Sequence, residues 1–364
     1  MKKVALIGSC GSIGLQVLEI VRSHPDEFEI VALATRSDNL IFASQIAEFR
    51  PKMFASFVND RYRAIDIARC PEADIVFNAA SGFEGLEYSL AAVKAGKTLA
   101  LANKESVVCG GEILLPLARR RGVQIIPVDS EHSAIWQCLD FRQRPVRRLV
   151  ITASGGPFKG CSREVLDKVT PEEALKHPTW HMGRKITVDS ATLMNKGFEI
   201  IEAHGLFGVP YENIDAVIQP QSVVHSLVEY TDGSTMAQLS YPTMQVPIQL
   251  ALSYPDRLDL AVAPMDYTKP FSLDFQPLVK EDYPCDALAV ECGQAGGILP
   301  CALNAADEVA VAAFLEGRIS FTDIFRITES VVSKTRQTGV RSFSQLEEAD
   351  IIARTLAKKI IDGL

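Results

Sequence analysis

Six short apolar runs punctuate the first 130 residues: Val4 to Ile7, Ile30 to Ala34, Met53 to Val58, Ile75 to Asn78, Thr98 to Leu101 and Gln124 to Val128. The first, second, fourth and fifth lead into segments with helical periodicity. Strands that are apolar on both faces must be covered on both faces, so this alternation leaves a mostly parallel sheet between helices as the expected α/β fold. In such a sheet the loops at the carboxyl ends of the strands share one edge and form the ligand crevice. Residues 8–14, 78–82, 103–105 and 129–131 therefore fall on one edge, although they are far apart in the chain.

The remainder reads differently. A chain of 364 residues is long for one core, and two or three domains are expected. From about Arg147 the pattern becomes an α+β mixture: "RRLVITASGGPF" is a strand running into a Gly-rich turn, and Asn195 to His204 reads as a helix. The segment "IDAVIQPQSVVHSLVEYTDGSTMAQLSYP" reads as antiparallel strands turning at Asp232 and Gly233. Pro255, Pro264, Pro270 and Pro277 keep the next stretch extended. Beyond it, "ALNAADEVAVAAFLEG" predicts a helix stopped by Gly317, and Gln345 to Ile361 predicts another. The expected division is a parallel-sheet domain over residues 1–129, a central α+β domain over 130–253, a linker over 254–282 and a C-terminal helical domain over 283–364.

The formal net charge of −8 argues against a nucleic-acid partner, which calls for a basic excess. The eight cysteines include no CxxC pair and read as reduced thiols rather than as a disulfide framework or a zinc site. The N-terminal "MKKVALIGSCGSIGLQVLEIV" is interrupted by Gln16, Glu19 and glycines, which argues against a signal peptide. No uninterrupted apolar run is long enough to span a membrane, so a cytoplasmic chain acting on small molecules, with no membrane partner, is expected.

"VALIGSCGSIG" places Gly8, Gly11 and Gly14 directly after the first strand and at the start of a helix. The spacing is GxxGxxG rather than GxGxxG, but it meets the same need: a tight turn, close backbone approach to a pyrophosphate and free helix N–H groups. That is a Rossmann-like signal. The second strand ends in Thr35, Arg36 and Ser37, where an NAD site usually carries an acid. A cation with hydroxyls suits a 2′-phosphate, so NADPH is the expected cofactor; a solvated surface arginine is the alternative.

The stretch "PVDSEHSAIWQC" sets Asp129 and Glu131 on either side of Ser130 at the ligand edge. Helix capping accounts for one of these residues but not for two carboxylates that disfavour each other's charge without a cation. A hard divalent ion, Mg²⁺ or Mn²⁺, wants such oxygen ligands and usually a third. The best distant candidate lies in "TVDSATLMNKGFEIIEAHGLF", where helical spacing lets Asn195, Lys196 and Glu199 share one face. A surface Lys/Glu pair on an amphipathic helix fits that spacing equally. Ser154 in "TASGGPF" and Ser190 in "VDSAT", together with Asn195 and Lys196, make a phosphate cradle without a P-loop. Trp180 and Met182, in a loop bounded by Pro and Gly, suit either an apolar lid or an ordinary anchored loop.

Taken together, "GSCGSIG", "ALANKES", "PVDSEHSAIWQ", "TASGGPF", "KHPTWHMGRKITVDSATLMNKGFE" and "ALNAADEVAVAAFL" closely resemble the 1-deoxy-D-xylulose 5-phosphate reductoisomerase family, in the same order over essentially the whole chain. The resemblance implies NADPH- and metal-dependent rearrangement and reduction of a small phosphorylated sugar, 1-deoxy-D-xylulose 5-phosphate, to 2-C-methyl-D-erythritol 4-phosphate. It makes residues 1–129 the NADPH-binding domain and residues 130–253 the catalytic domain, with a lid near 176–186. It implies Asp129, Glu131 and Glu199 as metal ligands. Substrate contacts would come from Lys104, Ser130, Glu131, Ser154, His177, Trp180, Met182, Ser190, Asn195, Lys196 and Glu199, with Lys104 and His177 counted among the catalytic groups. Cofactor contacts would come from Gly8, Ser9, Cys10, Gly11, Ser12, Ile13, Arg36, Ser37, Asn103, Glu105 and Gly183. The family is typically homodimeric. Cys10, His181 and the Arg36-Ser37-Asp38 turn depart from its pattern. The rival readings are another NADPH oxidoreductase, such as an aspartate-semialdehyde or homoserine dehydrogenase, and a non-catalytic NADP-binding protein.

Overall fold

The structure is a computed structural model that describes residues 1–139, 145–177, 179–180, 182–278 and 284–364. The chain forms two compact units. The first comprises Met1–Val107, Leu114–Ser133 and Thr243–Pro264; the second comprises Val108–Ile113, Ala134–Pro242 and Met265–Leu364.

In the first unit, β1 (Lys2–Ile7), β2 (Phe28–Thr35), β3 (Met53–Ser56), β4 (Ile75–Asn78), β5 (Thr98–Leu101) and β6 (Ile125–Pro127) form one sheet. Its order is β3-β2-β1-β4-β5-β6 and every pairing is parallel. Val4, Ala5, Leu6 and Ile7 are fully buried, which is why these strands read as unbroken apolar runs. Helices α1 (Ser12–Ser23), α2 (Leu40–Phe49), α3 (Arg61–Ala68), α4 (Gly85–Lys94), α5 (Glu105–Arg121) and α6 (Ser130–Cys138) follow the six strands in turn. The third strand therefore also leads into a helix, one capped by the Asp60 side chain on the Arg63 N–H. The order reverses direction at β1 and β4, the switch point where such sheets bind ligands.

The second unit carries β7 (Val146–Ala153), the short α7 (Arg163–Leu166) and α8 (Pro171–Ala174), then α9 (Arg184–Thr192) and α10 (Met194–Phe207). Next come β8 (Ile214–Ile218), β9 (Val224–Tyr230) and β10 (Thr235–Leu239). After α11 (Gln245–Ser253), which belongs to the first unit, the chain returns through β11 (Gln276–Pro277). The sheet order is β10-β9-β7-β8-β11. One expectation is corrected here: β8 does not pair with β9 but runs parallel to β7, reached by the long helical crossover between them. The β9–β10 hairpin is antiparallel and turns at Gly233, φ +85°.

Helices α12 (Pro284–Ala295), α13 (Leu299–Leu315), α14 (Asp323–Lys334) and α15 (Phe343–Ile361) complete the second unit as a helical layer. Gly317 takes φ +72° just past the end of α13, the left-handed stop that favours glycine. Val188 and Ala191 of α9 share a buried cluster with Ala302, Ala306, Ala310 and Phe314 of α13 and with Ile327, Val331 and Ala353. The α9 backbone is thereby seated on the C-terminal helices. Among the described residues, no helix is long and apolar enough to cross a membrane.

Candidate active site

On the first unit, the turn after β1 is shaped by two glycines that nothing larger replaces. Gly8 sits at φ +83°, and a Cβ there would lie 2.3 Å from the Ala79 carbonyl oxygen; a Cβ on Gly14 would lie 2.2 Å from the Gly8 oxygen. Gly11 is the N-cap of α1, with no side-chain cap and no acid in the first turn. Its helix N–H groups are thus left for an anion. Buried Gln45 of α2 braces the turn by donating to the Ser9 carbonyl at 3.0 Å. Cys10 points its thiol at the Gln45 side-chain oxygen, 3.6 Å away, while Ser12 is exposed and Ile13 half-buried. Arg36 and Ser37 are exposed at the end of β2, and Asp38 accepts from Asn59 rather than reaching toward the turn.

Asn103 is 1 % exposed. Its amide donates to the Ala80 and Gly82 carbonyls at 3.0 Å each and to Glu105 at 2.7 Å, while its oxygen accepts from the Ser106 N–H at 3.0 Å. Glu105 also accepts from the Gly82 N–H at 3.0 Å. The loops after β4 and β5 are locked together by these two side chains, which fixes the edge on which Lys104 sits.

Lys104 is buried, and its Nζ lies 2.8 Å from Asp129 Oδ2. Asp129 also accepts from the Ser130 N–H at 3.0 Å, and its carbonyl takes the first helical bond of α6, from the Ser133 N–H. Ser130 donates its hydroxyl to Glu131 at 2.6 Å. The Asp129 side chain and main chain thus both take N–H groups at the start of α6. Both carboxylates remain half-buried on the same edge as the glycine turn.

In the second unit, Gly155 and Gly156 follow β7 at φ +93° and +64°, and the Gly156 position packs against the Ser190 carbonyl, leaving 3.1 Å for a Cβ. The Ser154 turn and the end of α9 are therefore neighbours. Leu193, at φ +58°, makes the tight elbow from α9 into α10. On α10, Asn195 donates to Glu199 Oε1 at 2.5 Å, and Lys196 donates to the other Glu199 oxygen and, at 2.6 Å, to the Thr152 carbonyl. Lys196 is 3 % exposed and Glu199 is 1 % exposed. A surface Lys/Glu pair is thereby ruled out: this is a buried ionic face, and such a pair is costly to break.

His177 ties Thr179 and Trp180 to the Ser154 turn. Its Nδ1 accepts from the Thr179 and Trp180 N–H groups at 3.1 and 2.9 Å, so the neutral ring carries its proton on Nε2 and donates it to the Ser154 hydroxyl at 3.1 Å. Ser154 also accepts from the Gly156 N–H at 3.4 Å, which leaves its own O–H to donate elsewhere. Trp180 meets His225 edge-on at 6.2 Å, Met182 is half-buried, and Gly183 caps α9. His181 lies outside the described residues.

Burial lowers the His177 pKa from its ordinary 6.5. The fold holds the neutral ring, so its contribution is complete above pH 6.5 and is lost as pH falls through the depressed folded value. Protonation would also turn a third N–H against the two it now accepts. Substrate KM is expected to rise several-fold as pH falls from 6.5 to about 5. In His177→Asn, whose side-chain oxygen replaces Nδ1 and does not titrate, that rise should flatten; an identical acid limb in the variant would remove His177 from this role.

Two groups escaped sequence reasoning. Lys185 and the buried Asp307 are ion-paired at 2.6 Å across 122 positions. The only sequence signal was the i,i+4 spacing of Lys185 and Asp189.

Three family models match the chain. The 1-deoxy-D-xylulose 5-phosphate reductoisomerase model covers residues 4–66 and 55–111, its C-terminal domain model covers 125–207, and a DXP reductoisomerase C-terminal domain model covers 239–356. The 1-deoxy-D-xylulose 5-phosphate reductoisomerase of Thermodesulfovibrio yellowstonii is 46% identical over 99% of this chain and 100% of its own length. The chain belongs to the 1-deoxy-D-xylulose 5-phosphate reductoisomerase family. The Thermomicrobium roseum reductoisomerase is 48% identical over 98% of this chain and 97% of its own. Among solved structures, a DOX-P reductoisomerase in complex with NADPH, fosmidomycin and magnesium superposes with a TM-score of 0.93 at 36% identity, covering 100% of this chain and 98% of that one. The Zymomonas mobilis reductoisomerase in complex with NADPH gives 0.91 at 38% identity, with 100% of both chains covered.

Proposed function

We infer that this reductoisomerase-family chain converts 1-deoxy-D-xylulose 5-phosphate into 2-C-methyl-D-erythritol 4-phosphate, using NADPH and a divalent metal ion, Mg²⁺ or Mn²⁺. One observation carries the reading: a tight glycine turn at a helix N-terminus and a carboxylate pair beside a buried lysine share one edge of one sheet. A hydride donor and an oxygen-ligated cation are then brought to a single substrate.

The residues fit both groups. A side chain at Gly8 or Gly14 would collide with neighbouring backbone and open the tight turn that close approach to a pyrophosphate needs. Residues Gly8 to Ile13, Arg36, Ser37, Asn103, Glu105 and Gly183 are the proposed NADPH contacts, and NADPH supplies the hydride. Because the Asn103 carboxamide is engaged within its own loops, that position offers the cofactor its main chain. Asp129, Glu131 and Glu199 are the proposed ligands, an all-carboxylate set of the kind hard cations take. When bound there, the ion supplies a Lewis acid and template for vicinal oxygens of the ketose.

The chain's own groups do the rest. Lys104 offsets the charge of Asp129 and presents ammonium protons to substrate oxygens. Ser130 orients Glu131 and faces the sugar. The Ser154 hydroxyl, Ser190, the Asn195 amide and Lys196 hold the phosphate, and their binding energy acts away from the reacting carbons, where it serves positioning. His177 couples the lid to Ser154, and Trp180 with Met182 excludes water that would protonate a carbanionic intermediate. The assembly is proposed to be a cytoplasmic homodimer.

An NADPH-consumption assay tests the reading. Oxidation is expected only with 1-deoxy-D-xylulose 5-phosphate and Mg²⁺ or Mn²⁺ together, to stop when EDTA removes the metal, and to be slower with NADH. Metal-independent oxidation, or none with any combination, would sink it.

A further inference from the structure

The proposed phosphate cradle draws on two helices and a turn, so its geometry depends on how α9 is held relative to α10. Lys185, in the first turn of α9, meets both that helix and its neighbours. Its Nζ donates to Asp189 one turn along at 2.6 Å and to Asp307 of α13 at 2.6 Å, and it lies 5.5 Å from the ring centroid of Phe198 on α10. The Asp189 side chain is 4 % exposed and that of Asp307 is fully buried. Asp189 immediately precedes Ser190, and Phe198 lies between Lys196 and Glu199. One ammonium thus binds the residue before one proposed phosphate contact and faces the ring of the residue before Glu199.

We propose that Lys185 is a positioning residue, clamped by Asp189 and Asp307, that sets the register of α9 on α10 and α13 and so places Ser190 opposite Asn195 and Lys196. The apolar contacts of Val188 and Ala191 with α13 hold α9 against the layer but tolerate sliding and rotation. A charge held at hydrogen-bond distance by two carboxylates does not, because moving it off either breaks an ion pair to a buried carboxylate. A shift of α9 by one residue would turn Ser190 by about 100° away from the substrate.

The inference rests on the phosphate-cradle reading, and its test separates the two. Lys185→Met, Lys185→Arg and Asp307→Asn are compared with Lys196→Met in the full chain, reading kcat, substrate KM, fosmidomycin Ki and NADPH KM. In Lys185→Met and Asp307→Asn, substrate KM and fosmidomycin Ki are expected to rise about tenfold or more with NADPH KM within about twofold, as for a misplaced contact. Lys185→Arg should recover most of the loss. The proposal is overturned if the inhibitor constant stays within about twofold of the parent, or if substrate, inhibitor and NADPH weaken together as for general destabilisation. Where Lys185→Met does not fold, Asp307→Asn, which keeps the shape and an acceptor, decides alone. If Lys196→Met leaves fosmidomycin binding unchanged, the cradle reading itself is what fails.

Discussion

Glu199→Gln is expected to lower kcat by on the order of 10²–10³-fold or more while leaving NADPH affinity within about twofold. The substitution keeps the shape of a side chain that is 1 % exposed and removes only its charge. A neutral amide is a poor ligand for a hard cation in a set of three carboxylates, so the metal concentration for half-maximal activity should rise as well. There is a cost to folding, because Lys196 loses its ionic partner and keeps the Thr152 carbonyl. NADPH binding is proposed for the glycine turn of the first unit, and titration calorimetry of the variant with NADPH therefore reports whether the protein is intact. A variant that retains a tenth of parental kcat would remove Glu199 from the metal set. One that loses NADPH binding along with turnover would make it a structural residue only.

The first unit was legible in the sequence because its strands are buried on both faces, so that β4 and β5 appear as apolar runs with their observed bounds. The third strand was read two residues too long: Phe57 and Val58 are apolar, but the chain is already turning there toward Asp60 and α3. That helix was missed because "RYRAIDIA" is short and polar for its length, and Tyr62 faces solvent. In the second unit, β8 was recognised as a strand but given the wrong neighbour, since strand periodicity records which faces are buried and says nothing about which strand lies alongside. The site divides the same way. Asn195, Lys196 and Glu199 were legible as one helical face because their geometry is local. The Lys104–Asp129 pair was legible as two groups on one edge, but not as an ion pair, because it depends on how β5 and β6 align. The Lys185–Asp307 bond joins residues from different helices with no intervening pattern, and only the folded chain reveals it.

The local triad also yields a prediction in which affinity and stability respond differently. Lys196→Met retains the aliphatic stem and removes the ammonium, and it is expected to raise substrate KM and fosmidomycin Ki by about 10²-fold, the loss of one charge-assisted phosphate contact together with its positioning. It should also destabilise the fold by about 3–5 kcal/mol, because removing one member of a buried ion pair is costly. That second effect belongs to the charge that remains on Glu199 rather than to the lost lysine. Adding Glu199→Gln to Lys196→Met should therefore recover part of the stability, making the double variant more stable than the sum of the single losses, whereas inhibitor affinity should not recover. Urea denaturation of the four proteins measures the coupling, and fosmidomycin titration measures the affinity. Additive stabilities would mean that the pair is solvated and contributes little, against its burial. Recovery of inhibitor affinity in the double variant would mean that Lys196 acts on Glu199 and not on the phosphate.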